Sequence, residues 1–318
     1  MSDPEQRTEV LRTLGAYLAP WTFFDASKED LLPNSRLWLD HASWRKVVAS
    51  FAIKDGAKLE FTKDGLVGVS FAKAMADSEA RVTFVAETIN WFLSCVVLGG
   101  GNWFHPVTTG QVTVLNSQGD NIVQASGGGG EYFQVSIDKT VFWTLPPSRE
   151  LQVLWIALHK RSMEVRAFTN AFEVGKQIYG KFTDVSFDLF LSALSAFASH
   201  DWRRALIFSW VVTEQLLQDL WDRYILSATS GKRRDRLSED RTYSIAVRIE
   251  ILLWVDKIPE KSYQDLNEIR VARNNMVHEG KNIARETALL SLGTVQDLLV
   301  ILAGHPIEIK LPETTYIG

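Results

Sequence analysis

The chain has 318 residues, 46% of them hydrophobic, and a formal net charge of −4. That is enough for two domains with full cores, and the slightly acidic balance excludes a molecule that holds nucleic acid through its overall charge. The single cysteine, Cys95, excludes an internal disulfide and a cysteine-based zinc site, and the opening MSDPEQRTEV has neither a signal-peptide core nor transit-peptide character.

Residues 5–19 predict a short amphipathic helix ended by Pro20. From about 21 to 147 the texture is that of strands. Runs at 47–53, 58–62, 66–71, 111–115, 122–125 and 132–145 are set off in part by Asp55-Gly56, Asp64-Gly65 and Gln118-Gly119, all good turn dipeptides. Residues 87–98 predict a helix, with Ile89, Phe92, Leu93, Val96 and Val97 on one face. The apolar run 89–98 holds Asn90 and Ser94 and is too short to cross a bilayer, so a cytoplasmic protein with no membrane association is expected. Two glycine clusters, Gly99-Gly100-Gly101 and Gly127 to Gly130, lack the Lys-Ser or Lys-Thr of a phosphate loop and read as loops. His105, His159 and His200 are too scattered to predict a metal site. The tryptophans read mainly as core.

Pro146-Pro147-Ser148 marks a boundary, after which the pattern is helical: 149–180, 186–199, 201–226, 242–255, 262–278 and 283–303. The expected fold class is therefore an α+β domain with a mostly antiparallel sheet (1–147), then a helical connector (148–182), an all-α bundle (183–305) and a tail (306–318).

The helix over 262–278 carries the chemistry. It holds no Gly or Pro; Ser262 is placed to cap it, with Asp265 in its first turn. Leu266, Ile269, Val271, Met276 and Val277 supply an apolar side, and Gly280 is its stop. Near its end stands Arg273-Asn274-Asn275-Met276-Val277-His278. Asn274 and His278, four apart, are neighbours on one face; Arg273 lies about 100° round from Asn274, and Arg270 one turn before both. An imidazole can take or give a proton near neutral pH, and a guanidinium offers a planar fork to phosphate oxygens. Asn274 can orient a partner or donate to an oxyanion. Together they suit phosphodiester cleavage without a metal or other cofactor. Spacing alone does not single out this motif, because Arg36 and His41 stand equally far apart; the Asn directly after the Arg does. The competing reading is a polar helix end in which Arg273 pairs with Glu268 or Glu279.

Two further features bear on that site. Glu214 lies among Ile207, Trp210, Val211, Leu217 and Trp221 at helical spacing, and a carboxylate on an apolar face calls for a partner; Arg273 or Arg270 is the expected one. Lys232, Arg233, Arg234 and Arg236 form a basic cluster suited to RNA backbone, or else a solvated loop. Residues 183–305 hold 15 Lys plus Arg against 17 Asp plus Glu, so any basic surface is local.

The last 120 or so residues resemble the HEPN superfamily, helical bundles with an Arg-x(4–6)-His motif often carrying a polar residue after the Arg. The resemblance rests on RNNMVHEGKN, similar to HEPN domains of ApeA-like phage-defence proteins, and on the long preceding helix SHDWRRALIFSWVVTEQLLQDLWDRYI. It implies a homodimer through the helical bundle, whose two motif helices form one composite site, and metal-independent cleavage of RNA by its own 2′-hydroxyl. In that setting Arg273 stabilises the transition state, His278 is the acid/base and Asn274 positions phosphate or the partner site. An anti-phage or toxin effector is implied, with the N-terminal domain receiving a trigger. Gly280 stands where some HEPN toxins carry a Tyr used for control by nucleotidylation. A catalytically silent HEPN-like module that holds RNA or a protein is the alternative.

Overall fold

The computed structural model describes residues 13–18, 21–24, 46–53, 57–63, 65–71, 78–118, 121–124, 161–182, 184–239 and 242–312. The expected strand at 132–145, Gly127 to Gly130, Arg36, His41 and His159 lie outside them. The described residues fall into two compact units, one drawn from Met1–Ile89 and Val107–Phe168, the other from Asn90–Pro106 and Thr169–Gly318. The architecture is α+β followed by all-α.

In the first unit the strands are β1 (Thr13–Tyr17), β2 (Trp21–Phe24), β3 (Val47–Ala52), β4 (Lys58–Thr62), β5 (Leu66–Ser70), β6 (Thr113–Gln118), β7 (Asn121–Gln124) and β8 (Arg161–Glu164). Six form one sheet in the order β3-β4-β5-β1-β6-β7, with every neighbouring pair antiparallel. β2 and β8 pair in parallel, Trp21 opposite Arg161. β4 shows the expected alternation, Leu59 and Phe61 buried between more exposed Lys58 and Glu60. Phe23, Phe51, Phe61 and Phe168 form an aromatic core, with ring centroids 4.9 Å apart for Phe23–Phe168 and 5.0 Å for Phe61–Phe168.

Two expectations are corrected. Residues 13–17 are a strand inside the sheet, not part of a helix over 5–19. β1 has β5 on one edge and β6 on the other, and Thr13, Leu14, Ala16 and Leu18 are all buried. Gly15 makes the close pairing sterically feasible, since a Cβ there would stand 1.9 Å from the Val67 carbonyl oxygen. Residues 161–164, expected within a helix over 149–180, are strand β8, and the helix begins only at Val165. In both short segments strand pairing outweighs local helix preference, β1 with β5 and β6 and β8 with β2, because ladder bonds need a partner the local pattern cannot show.

The helices are α1 (Ser78–Leu98), α2 (Val165–Tyr179), α3 (Phe187–Ala198), α4 (Trp202–Trp221), α5 (Gly231–Leu237), α6 (Ile245–Trp254), α7 (Glu260–Glu279) and α8 (Arg285–Ala303). In the second unit α4 is the hub, packed against α3, α6, α7 and α8. It starts where expected: Asp201 Oδ1 accepts from the Arg204 backbone N–H at 3.1 Å. Ala205, Leu206, Trp210, Val212, Leu216, Leu217, Leu220 and Trp221 are buried, and buried Ser209 Oγ lies 2.6 Å from Ser291 Oγ on α8. Past Trp221 the chain makes a π turn, Asp222–Leu226, where Arg223 donates to the Leu302 carbonyl at 2.8 Å. Ile307 and Ile309, in the segment expected as a tail, are buried.

α1 and α2 meet at backbone contact. A Cβ on Gly175 would stand 1.6 Å from the Cys95 carbonyl oxygen, and one on Gly99 would stand 1.8 Å from the Ala171 carbonyl oxygen. The Gly99-Gly100-Gly101 cluster is therefore a helix stop and a packing surface; its N–H groups donate to Cys95, Val97 and Val96 carbonyls. Burial pushes the Cys95 thiol up to about 12, with Lys176 opposing the shift, so it is unreactive at neutral pH. The 89–98 run belongs to a longer helix than expected. Glu79–Leu98 and Arg285–Ala303 are each long and apolar enough to cross a bilayer, yet 61% and 44% of these stretches are buried within the chain. Both pack within the chain, with Ile89, Phe92 and Leu93 on the one and Leu292, Leu298 and Leu299 on the other fully buried.

Replacing a helix-interior Gly with Ala ordinarily stabilises by about 0.5–1 kcal/mol. At Gly175 the sign reverses, because the new methyl meets backbone that cannot move aside. Gly175→Ala is expected to lower stability by about 2 kcal/mol or more in urea unfolding.

Candidate functional site

α7 is fastened along one side only. Its buried residues are Ser262, Leu266 and Ile269, spaced by four and three. Taking Ile269 as origin and about 100° per residue, Arg273 lies about 40° away, Val271 about 200°, Asn274 about 140° and His278 about 180°. This explains what is seen. Arg273 is half-buried, His278 is exposed, and Val271, expected on the apolar side, is 49% exposed, as Val277 is at 50%. The helix starts at Glu260, with Pro259 rather than Ser262 as its cap, and ends at Gly280, whose φ of 69° is the left-handed stop expected of it. The Gly280 N–H donates to the Met276 carbonyl at 3.1 Å.

Arg273 and Asn274 touch: Nη1 of Arg273 donates to Oδ1 of Asn274 at 3.1 Å. The Arg273 Nε is buried and has no acceptor among the described residues, an unmade bond that costs about 1–3 kcal/mol in a closed interior. Arg273 pairs with neither Glu268 nor Glu279; Glu279 takes Lys281 at 2.7 Å. Arg270, one turn earlier, gives Nε and Nη2 to Asn267 Oδ1 at 3.3 and 3.2 Å. The end of α7 thus presents a guanidinium braced by its neighbouring amide and an exposed imidazole on a different side.

Glu214 does not join them. Its Oε1 accepts from Trp210 Nε1 on its own helix at 2.6 Å, so the indole supplies the partner for which Arg273 or Arg270 was expected. Lys232, Arg233, Arg234 and Arg236 are all exposed and stand on helix α5 rather than a loop. The fold holds them apart from the motif. Arg203, the second residue of α4, reaches Gly280 beside the motif, while Trp221, its last, donates to the Leu237 carbonyl at the end of α5 at 3.1 Å. The 18 residue steps between Arg203 and Trp221 rise about 27 Å along α4. Elsewhere in the helical unit, His105 Nδ1 lies 2.6 Å from Ser195 Oγ, tying the segment after α1 to α3. Among the described residues no three His, Cys, Asp or Glu side chains are placed to hold a metal ion.

The contact that sequence reasoning missed is made by Arg203. Its Nη2 donates to the Gly280 carbonyl at 3.1 Å and to Asn282 Oδ1 at 2.7 Å. A cation in the first turn of a helix is unfavourable to the helix dipole, which is a hint that this side chain has business elsewhere; its target, 77 residues away, leaves no local signal. It fixes the loop that follows His278.

No protein-family model matches the chain, and no curated protein and no solved structure matches it significantly.

Arg203→Ala removes two charge-assisted hydrogen bonds from an exposed position, an effect on the order of 1 kcal/mol. Amide exchange at 280–283 is expected to accelerate about fivefold while the melting temperature of the chain changes by no more than about 2 °C.

Proposed function

We propose that this chain is a HEPN-type endoribonuclease that cleaves RNA without a metal, at a site completed by two copies of α7. The observation that carries the reading is the end of that helix. Arg273, Asn274 and His278 lie within one glycine-capped turn and a half, Arg273 is braced by Asn274, and neither Arg273 nor His278 is in an ion pair among the described residues. On one helix Arg273 and His278 point about 140° apart, so a phosphate using both needs a second surface. The half-exposed Val271 and Val277 beside them give a second copy something apolar to cover.

In the chemistry proposed, one imidazole takes the proton of the RNA 2′-hydroxyl as its oxygen attacks phosphorus. The bond from phosphorus to the 5′-oxygen breaks, and that oxygen takes a proton from the second imidazole. The products are a 2′,3′-cyclic phosphate and a 5′-hydroxyl. Arg273 faces the non-bridging oxygens, where negative charge builds, and Asn274 keeps its fork in place. Role, partner and place follow the same reading: an effector against phage or a toxin, acting in the cytoplasm as a homodimer, with the N-terminal unit receiving the trigger.

The test is cleavage of a broad RNA panel by the purified full chain in EDTA, with product ends identified. Cyclic-phosphate ends are expected, with His278→Ala and Arg273→Ala each at least about 100-fold slower and still folded and dimeric. A folded dimer that binds RNA and leaves it whole supports the silent binding module; if residues 183–318 alone then cut, the part of the chain before residue 183 restrains the nuclease.

A further inference from the structure

The motif and the basic helix sit at opposite ends of α4, and that separation sets what kind of RNA the protein can hold. α5 carries Lys232, Arg233, Arg234 and Arg236 within seven residues, with Asp235 the single acid. All four cations are exposed, and none forms an ion pair or a side-chain hydrogen bond with a described residue. Elsewhere on the same unit, exposed arginines do find partners: Arg203 on Gly280 and Asn282, Arg204 on Asp201, Arg223 on Asp219. α5 is also held in place. Trp221 Nε1 donates to the Leu237 carbonyl, and the Trp221 ring lies against Tyr243, centroids 5.6 Å apart. A small net positive surface is thus fixed to the far end of the helix whose near end braces the motif.

We infer that α5 is a remote anchor for the phosphate backbone of RNA, and that the substrate is an RNA long enough to reach from there to the motif. This rests on the nuclease reading above. The span along α4 is about 27 Å, or about eight nucleotides at roughly 3.4 Å per stacked step. In a two-fold dimer whose motif helices meet on the axis, the two α5 clusters are equidistant from the cut site, so each can hold one flank. Contacts of this kind position a strand without reading its sequence. An acidic protein on the same surface would show no such dependence on RNA length.

The experiment replaces Lys232, Arg233, Arg234 and Arg236 together with Gln in the full chain. Cleavage of a four-nucleotide and a 24-nucleotide RNA is measured, and binding of both is measured in the His278→Ala background between 50 and 200 mM salt. The 24-mer is expected to bind at least tenfold more weakly, with a slope of log affinity against log salt shallower by about two to three. Cleavage is expected to fall at least about fivefold more for the 24-mer than for the four-mer, which is too short to reach α5 from the motif. Unchanged 24-mer binding, no RNA binding by the unaltered cluster, or an equal fall on both RNAs overturns the inference. If the wild-type chain cuts neither RNA, the nuclease reading fails, while the binding arm still decides whether α5 anchors RNA.

Discussion

Burial of α4 is the constraint on which the helical unit depends. The Ser209–Ser291 contact at 2.6 Å sits inside a seam of Ala205, Leu206, Val212, Leu216 and Leu292 with no exposed surface, so α4 and α8 cannot slide past each other without breaking a buried polar pair and a packed apolar layer together. Once α4 is fixed, its two ends fix two other things. Its first turn sends Arg203 to the end of the motif helix, and its last residue receives α5 through Trp221. A single buried helix thereby sets the distance between a candidate reaction site and a candidate anchor.

The motif helix is built the opposite way. α7 buries three residues, all in its first half, and leaves its last turns to polar groups and two half-exposed valines. A helix end so lightly packed is poorly suited to hold a reacting geometry unaided. It is helped by Gly280, which stops it, by Arg203, which holds the stop, and by Asn274, which braces Arg273. Covering Val271 and Val277 by a second copy of the chain would add the rigidity that a proton transfer requires.

Much of this was legible in the sequence, and what was not has physical causes. β4 over 58–62 and the glycine stop at Gly280 were readable because turn dipeptides and a left-handed cap are local chemistry. β1 and β8 were not, because short strands are decided by partners far along the chain: Leu14 faces Val69 and Val114, and Trp21 faces Arg161. The apolar side of α7 is narrower than its sequence suggests, since Val271 falls about 200° from Ile269 and packing alone decides which arc is buried. At the site, the residues of the motif were visible as a string, but Arg203 and the Trp210 partner of Glu214 were not, being matters of which side chain arrives first at an acceptor.

In the proposed function the end of α7 receives a phosphodiester on Arg273 and His278. The most direct measurement is NMR of the full chain with labelled arginine and histidine, titrated with an RNA carrying a 2′-deoxy nucleotide at the position to be cut. The Arg273 Nε–H signal and the His278 ring signals are expected to move together, with one shared affinity, and the Arg273 change to be lost in His278→Ala only to the extent that binding weakens. Signals from both residues that stay fixed while the RNA binds elsewhere on the chain would contradict the proposed function.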